Sequence, residues 1–283
     1  MARRIADSSP CPSAEPAERV ERKGARTRAT IPPDVLRDLC AGAIETRSLV
    51  EWLAIDFGTL ARAALTDVVG PGRAEHIAAN LDVQRELGIV GRTQLAGASL
   101  ERALGTGAAR ERRLRALAAH RSDTVRGWTA HAATIGDAQL AVKLDAVRRF
   151  AADAHPCVRE LAWMAVRPAI AEDIGAAVKL LARWSRDEDA NVRRFASEST
   201  RPRGVWCAHV AALRADPSLG LAVLEPLRAD PSKYVRDSVA NWLNDASKDD
   251  PAWVRSVCAR WTRESRGKET AYTVKRALRT IDR

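Results

Sequence analysis

Between Asn191 and Trp206 the chain reads NVRRFASESTRPRGVW. Four arginines, one glutamate and a closing tryptophan share this stretch. Guanidinium forks bind phosphate oxygens, and an indole face holds a base or a cation. Two further segments carry similar material. ELAWMAVRPAI (Glu160–Ile170) puts Trp163 and Arg167 one helical turn apart. YVRDSVANWLNDASKD (Tyr234–Asp249) puts Asn241, Asp245 and Lys248 on one helical face at i, i+3 and i+4 spacing. Trp242 and Leu243 point elsewhere, towards packing. Asn and Asp in mid-helix are poor for propensity and costly inside a core, so a polar working surface is the simplest reason for them. Singly, each residue has a plainer reading. Trp163 suits a core, Trp206 a plug between helices, Glu198 a partner for Arg194 or Arg201, and Asp245 a partner for Lys248.

The elements that position these residues are helices. Pro202 lacks an N–H and ends the helix through Phe195. A second helix is expected near Gly204, with Trp206 in its first turn. Its free N–H groups would favour an anion beside Arg201 and Arg203. Upstream, helical spacing starts at Ile31, with Pro32 and Pro33 at a helix start and apolar residues at Val35, Leu36, Leu39, Ile44, Leu49, Val50 and Leu53. VGPG at Val69–Gly72 is a turn, and breaks fall near Gly88–Gly91 and Gly105–Gly107. No segment alternates strictly enough for a strand.

A repeat organises the second half. Val-Arg follows a polar turn at Val125, Val158, Val192 and Val235, which lie 33, 34 and 43 residues apart. This period, with two helices per unit, is the mark of HEAT-type repeats. The turn Asp or Pro opens the second helix, the valine packs inward, and the arginine reaches back along the neighbouring turn. Arg126, Arg159, Arg193 and Arg236 are therefore scaffold, whereas the repeat leaves Arg194 unexplained. The longest step follows the RPR break, where a departure from the rule marks a functional place. The fold expected is all-α: a curved superhelical array of HEAT-like repeats (ARM-repeat-like) without β-sheet. Residues 1–30 read as a disordered basic tail. Residues 31–283 read as one repeat domain, with N-terminal helices over 31–120 and the Val-Arg repeats, carrying the binding face, over 121–283.

The 283 residues carry a formal net charge of +10, mostly from arginine. The balance points to nucleic acid before membrane, because no apolar run approaches ~20 residues. A solvated basic face is the alternative. Cys11, Cys40, Cys157, Cys207 and Cys258 lie far apart, without a CxxC pair or a neighbouring His at metal spacing. The expectation is a reduced, cytoplasmic, nucleoid-associated monomer with no metal and no cofactor. The N-terminus lacks the apolar core of a signal peptide.

AWMAVRPAI, NVRRFASESTRPRGVW and DPSKYVRDSVANWLNDASKD resemble the HEAT-like alkylpurine DNA glycosylases of bacteria, the AlkC type and its relation the AlkD type. The resemblance is strongest over about residues 153–250 and weaker over 31–90. It implies excision of cationic N3- and N7-alkylated purines from double-stranded DNA without a deep base-flipping pocket. It assigns Trp206 to the lesion-bearing nucleotide, Asp245 to the catalytic carboxylate and Arg194 to the DNA backbone. Where the AlkC type has an active-site glutamate this chain has Trp163, closer to the aromatic-plus-aspartate arrangement of the AlkD type. The immunoglobulin-like domain of some AlkC proteins is not expected. With the resemblance, the reading is a monofunctional glycosylase using Asp245, Trp206 and Trp163. Arg194, Arg201, Arg203, Arg167, Lys248 and Asn241 are expected on the DNA. A non-catalytic DNA-binding relative and a HEAT-repeat protein scaffold are the alternatives.

Overall fold

The computed structural model describes residues 22–136 and 138–282. Among them every regular element is a helix and no strand occurs. The first six α-helices are α1 (Pro33–Cys40), α2 (Leu49–Ala54), α3 (Phe57–Val69), α4 (Pro71–Val83), α5 (Ile89–Leu104) and α6 (Gly107–Ala118). Then come α7 (Asp123–Thr134), α8 (Leu140–Ala151), α9 (Pro156–Glu172), α10 (Ile174–Trp184) and α11 (Ala190–Ser199). After an irregular stretch follow α12 (Ala211–Ala215), α13 (Leu221–Leu224), α14 (Lys233–Ala246), α15 (Pro251–Glu264) and α16 (Lys268–Ala277). The boundaries follow local chemistry. Pro33, Pro71, Pro156 and Pro251 occupy first turns, where a missing N–H costs nothing. Ser122, Asp189 and Asp250 cap α7, α11 and α15 by accepting from the N–H of Val125, Asn191 and Trp253. Gly70 joins α3 to α4 at φ 91°, which a side chain would resist.

The array of HEAT-like repeats is built by stacking alternate helices. α5 packs on α7, α7 on α9, α9 on α11, α11 on α14, and α14 on α16. Val125, Val158, Val192 and Val235 are all buried in this row. Each contributes about 1.5–3 kcal/mol of apolar burial. Gly127 lets α7 and α9 meet closely, since a Cβ there would lie 2.2 Å from Leu161.

The four Val-Arg arginines make one repeated bond pattern. In each, Nη1 donates to the carbonyls six and five residues back. Arg126 takes His120 and Arg121, Arg159 takes Asp153 and Ala154, Arg193 takes Asp187 and Glu188, and Arg236 takes Asp230 and Pro231. The turn's carbonyls are thus satisfied by the helix that follows it. Arg126 and Arg193 also fork onto Asp153 and Asp230, the corresponding turn of the next repeat. Arg159 instead turns its Nε to the Tyr234 hydroxyl at 3.3 Å.

Two expectations change. The tail does not extend to residue 30. Arg22 donates to both oxygens of Glu51 at 2.6 and 3.0 Å, and the N–H groups of Ala25 and Arg47 complete that buried carboxylate. Burial pushes Glu51 up, but Arg22 and these N–H groups outweigh it and hold it below its usual range. Residues 1–21, Cys11 included, lie outside the described residues. Nor does a helix begin near Gly204. Residues 201–210 form a loop closed by the Val210 N–H on the Pro202 carbonyl at 3.0 Å, and α12 starts only at Ala211. The N-terminal anion site expected there does not form.

Candidate functional site

The loop is held from below by Arg167 on α9. Its Nη1, Nη2 and Nε donate to the carbonyls of Ser199, Arg201 and Ala208 at 2.8, 2.6 and 3.2 Å. Arg167 is 2% exposed, and burial lowers its pKa. Its guanidinium also lies 5.8 Å from the Trp163 ring centre. The expectation that Arg167 contacts DNA is therefore corrected. All three nitrogens are turned inward on the chain's own backbone. The loop it anchors presents Val205 and Trp206 outward, Trp206 half exposed.

Above the loop's base runs a ladder of alternating charges. Glu160 on α9 meets Arg194 on α11 at 2.7 Å, and Arg194 meets Glu198 at 3.4 Å. Glu198 meets Arg201 at 2.6 Å, and Arg201 forks onto Asp245 on α14 at 2.6 and 2.9 Å. Asp245 ends on Lys248 at 3.3 Å. Ser238 adds a donor to Glu198 at 2.7 Å. Three repeats thus contribute to one polar seam. Its middle is buried and its two ends, Glu160 and Lys248, are open. Burial pushes Glu198 up, but Arg194, Arg201 and Ser238 more than offset this and leave its carboxyl below the usual range. Burial likewise opposes the charge on Arg194 and Arg201, yet the flanking carboxylates raise both guanidinium pKa values.

The ladder from Glu160 to Arg201 forms the floor of a cavity of about 330 Å³. Trp163, Val205, Trp206, Tyr234, Asp237 and Asn241 complete its wall with Glu160, Arg194, Glu198, Arg201 and Ser238. Trp163 is 3% exposed and belongs to the core, but its indole N–H reaches Glu160 at 2.8 Å. Tyr234 lies under Arg194, 4.3 Å from guanidinium to ring centre. Asn241 accepts from Arg279 at 2.9 Å. A second, more apolar cavity of about 540 Å³ adjoins the first, lined by residues including Trp52, His155, Leu161 and Met164. The two share Glu160 and Trp206.

Of the residues singled out in the sequence, this arrangement brings Trp163, Trp206, Arg194, Arg201 and Asn241 to one cavity. Asp245 lies one layer behind, reached through Arg201. Lys248 stands at the end of the ladder, and Arg203 at the loop edge. There Arg203 and Arg214 share Asp249, which they hold down at a pKa of about 2. Arg194 and Arg201 do not await a ligand. Each is sandwiched between two carboxylates. Glu160, Tyr234, Asp237 and Ser238 have no role in the sequence reading. Glu160 opens the quoted ELAWMAVRPAI segment, and its i, i+3 spacing to Trp163 is the signal that would have found it. Among the described residues no group of three His, Cys, Asp or Glu is placed to hold a metal ion, and no helix is long and apolar enough to cross a membrane.

Fixed carboxylates beside indole faces suit a ligand that carries or develops positive charge. Residues 151–281 match the family model described as DNA alkylation repair enzyme. Over this segment, a little under half of the chain, the protein is similar to the DNA alkylation repair enzymes. The matched segment contains the whole charge ladder, the 201–210 loop and both tryptophans. The chain is 43% identical over 117 residues to the uncharacterized protein YhaZ of Bacillus subtilis (strain 168), covering 41% of this chain and 32% of that one. Its fold is similar to the Pseudomonas fluorescens alkylpurine DNA glycosylase AlkC, solved bound to DNA containing an abasic site analog. The TM-score is 0.67 at 30% identity, over 79% of this chain and 61% of that one. AlkD2 from Streptococcus mutans shares the fold at 20% identity and a TM-score of 0.56, over 75% of this chain and all of that one. The chain thus spans less than two thirds of the length of YhaZ and of AlkC. The likeness to the DNA alkylation repair enzymes thus lies in the segment that carries the site, and AlkD2 shows the fold alone.

Proposed function

We propose that the protein is a monofunctional DNA glycosylase that hydrolyses the N-glycosidic bond of cationic alkylated purines, of the 3-methyladenine and 7-methylguanine type, in duplex DNA. The observation that carries this reading is the open cavity in which two tryptophans face a fixed row of carboxylates. An alkylated purine is already a cation and leaves as a neutral base, so the bond needs no general acid and no cofactor. As it breaks, positive charge moves to the deoxyribose, as in glycoside hydrolysis. Trp206, half exposed, holds the cationic nucleotide, a contact contributing about 0.5–2 kcal/mol, and the buried Trp163 backs the wall behind Glu160. Asp245 stabilises the sugar's charge. Its Arg201 fork is firm, whereas its 3.3 Å contact is to the half-exposed Lys248, which can move to a phosphate. Arg203 at the loop edge takes a second phosphate, and Asn241 hydrogen-bonds from the wall. Arg194 and Arg201 act by holding the carboxylates in place. The protein works as a monomer alongside DNA in the cytoplasm.

The deciding measurement is release of 3-methyladenine or 7-methylguanine from methylated duplex at low salt and high enzyme. Wild type should release base and Asp245→Asn should lose about a hundredfold or more in rate. No release by wild type sinks the proposal.

A further inference from the structure

We infer that Glu160 is a second catalytic carboxylate of this site, the one that orients the attacking water and takes its proton, with Trp163 as its positioning residue. The inference rests on the glycosylase reading. Water must come from the solvent side, and the wall's carboxylates differ sharply in access to it. The Glu160 side chain is 37% exposed, against 5% for Glu198 and 8% for Asp245. Asp237 is already claimed by Lys233, Tyr272 and Arg276. Glu160 is also aimed before any substrate arrives. Oε2 accepts from the Trp163 indole at 2.8 Å, and Oε1 meets Arg194 at 2.7 Å. A carboxylate held at both oxygens keeps spare lone pairs for a water and needs no reorganisation. Its place is also right. It is common, with Trp206, to both cavities, so a nucleotide against Trp206 lies at the same junction.

The step balances. The C1′–N bond breaks with its electron pair going to the purine, which leaves neutral. The water oxygen bonds to C1′, and its proton passes to the Glu160 carboxylate and then to solvent. Trp163 thereby fixes the carboxylate one turn before it on the same helix. The core packing of Trp163 and its place in the wall then serve one purpose.

The test is single-turnover base release from methylated duplex with full-length wild type, Glu160→Gln, Glu160→Ala and Trp163→Phe. Duplex affinity is measured in parallel. Glu160→Gln should slow release about a hundredfold or more. Its affinity for duplex should stay within a few-fold of wild type. Azide, a small anionic nucleophile that needs no base, should restore release by Glu160→Ala and do nothing for Asp245→Ala. Trp163→Phe keeps the carboxylate and removes its indole donor, and should cost about tenfold. Wild-type rate in Glu160→Gln overturns the inference while leaving the glycosylase reading intact. So does a loss in Glu160→Ala that azide does not restore. An inactive wild type removes both.

Discussion

At the scale of single residues the site is governed by charge pairing under burial. Glu198 is 4% exposed, and an isolated carboxylate there would cost several kcal/mol. Arg194, Arg201 and Ser238 offset that cost and hold its pKa below the ordinary 4.5. A depressed carboxylate pKa contributes stability that is present above the ordinary value and is lost as pH falls through the folded one. Glu198→Gln leaves two guanidinium groups facing each other. It should destabilise the fold by about 3–5 kcal/mol near neutral pH. Thermal melts of wild type and Glu198→Gln should therefore lie far apart at pH 7 and converge as pH falls below the ordinary 4.5 and through the folded-state value. A gap that does not change with pH would refute the ion-pair account. The same logic explains why Arg194 and Arg201 are poor phosphate ligands. A phosphate would have to displace two carboxylates from each.

At the scale of elements, one buried arginine decides the shape of the loop. Arg167 spends its donors on three carbonyls of residues 199–208, so the segment after Pro202 is held as a loop rather than wound into a helix. The loop carries Trp206 into the open between the two cavities. Arg167→Met keeps much of the side-chain volume and removes every donor, leaving the buried Ser199 carbonyl unpaired at about 1–3 kcal/mol and freeing the part-buried carbonyls of Arg201 and Ala208. Amide hydrogen exchange at residues 203–208 should rise at least tenfold, and base release should fall with it. Exchange in α7 and α9 should be unchanged, because the repeat contacts there are not touched. Unaltered exchange in the loop would show that something other than Arg167 orders it. The Val-Arg arginines act at this scale too. The same fork ties each turn to its following helix, which is why four of them recur and none is spare.

At the scale of the whole molecule, the formal charge of +10 and the ladder divide the electrostatics. The ladder is internally balanced, with three carboxylates against three cations, so it contributes little net attraction for a polyanion. Duplex affinity must come from groups at the rim and across the surface. Log affinity should fall linearly with log salt concentration, with a slope of about −0.9 per phosphate neutralised. Lys248→Ala should reduce that slope by about one, whereas Arg194→Gln should leave it unchanged. Equal slopes for wild type and Lys248→Ala would remove Lys248 from the phosphate contacts. The stacked row of inner helices makes this separation possible. It supplies α9, α11 and α14 side by side, so one seam can cross three repeats.

Much was legible without coordinates. Helical periodicity, the proline and glycine breaks and the Val-Arg spacing report local burial and backbone rules, and these act over a few residues. They suffice for the all-α class, the repeat, the scaffold role of Arg126, Arg159, Arg193 and Arg236, and the three segments that meet at the site. The partner of Glu198 was also within reach, because Arg194 and Arg201 lie within four residues of it. What tertiary structure decided was pairing at long range. Arg201 finds Asp245 44 residues away, Arg167 finds Ala208 41 residues away, and Arg22 finds Glu51 across 29. Such pairings turned expected DNA contacts into internal supports and a presumed helix into a loop. They also drew part of the presumed tail into the fold. The carboxylate at Glu160 was hidden for the same reason. Only the approach of α11 and the 201–210 loop makes an ordinary helix glutamate the exposed edge of a cavity.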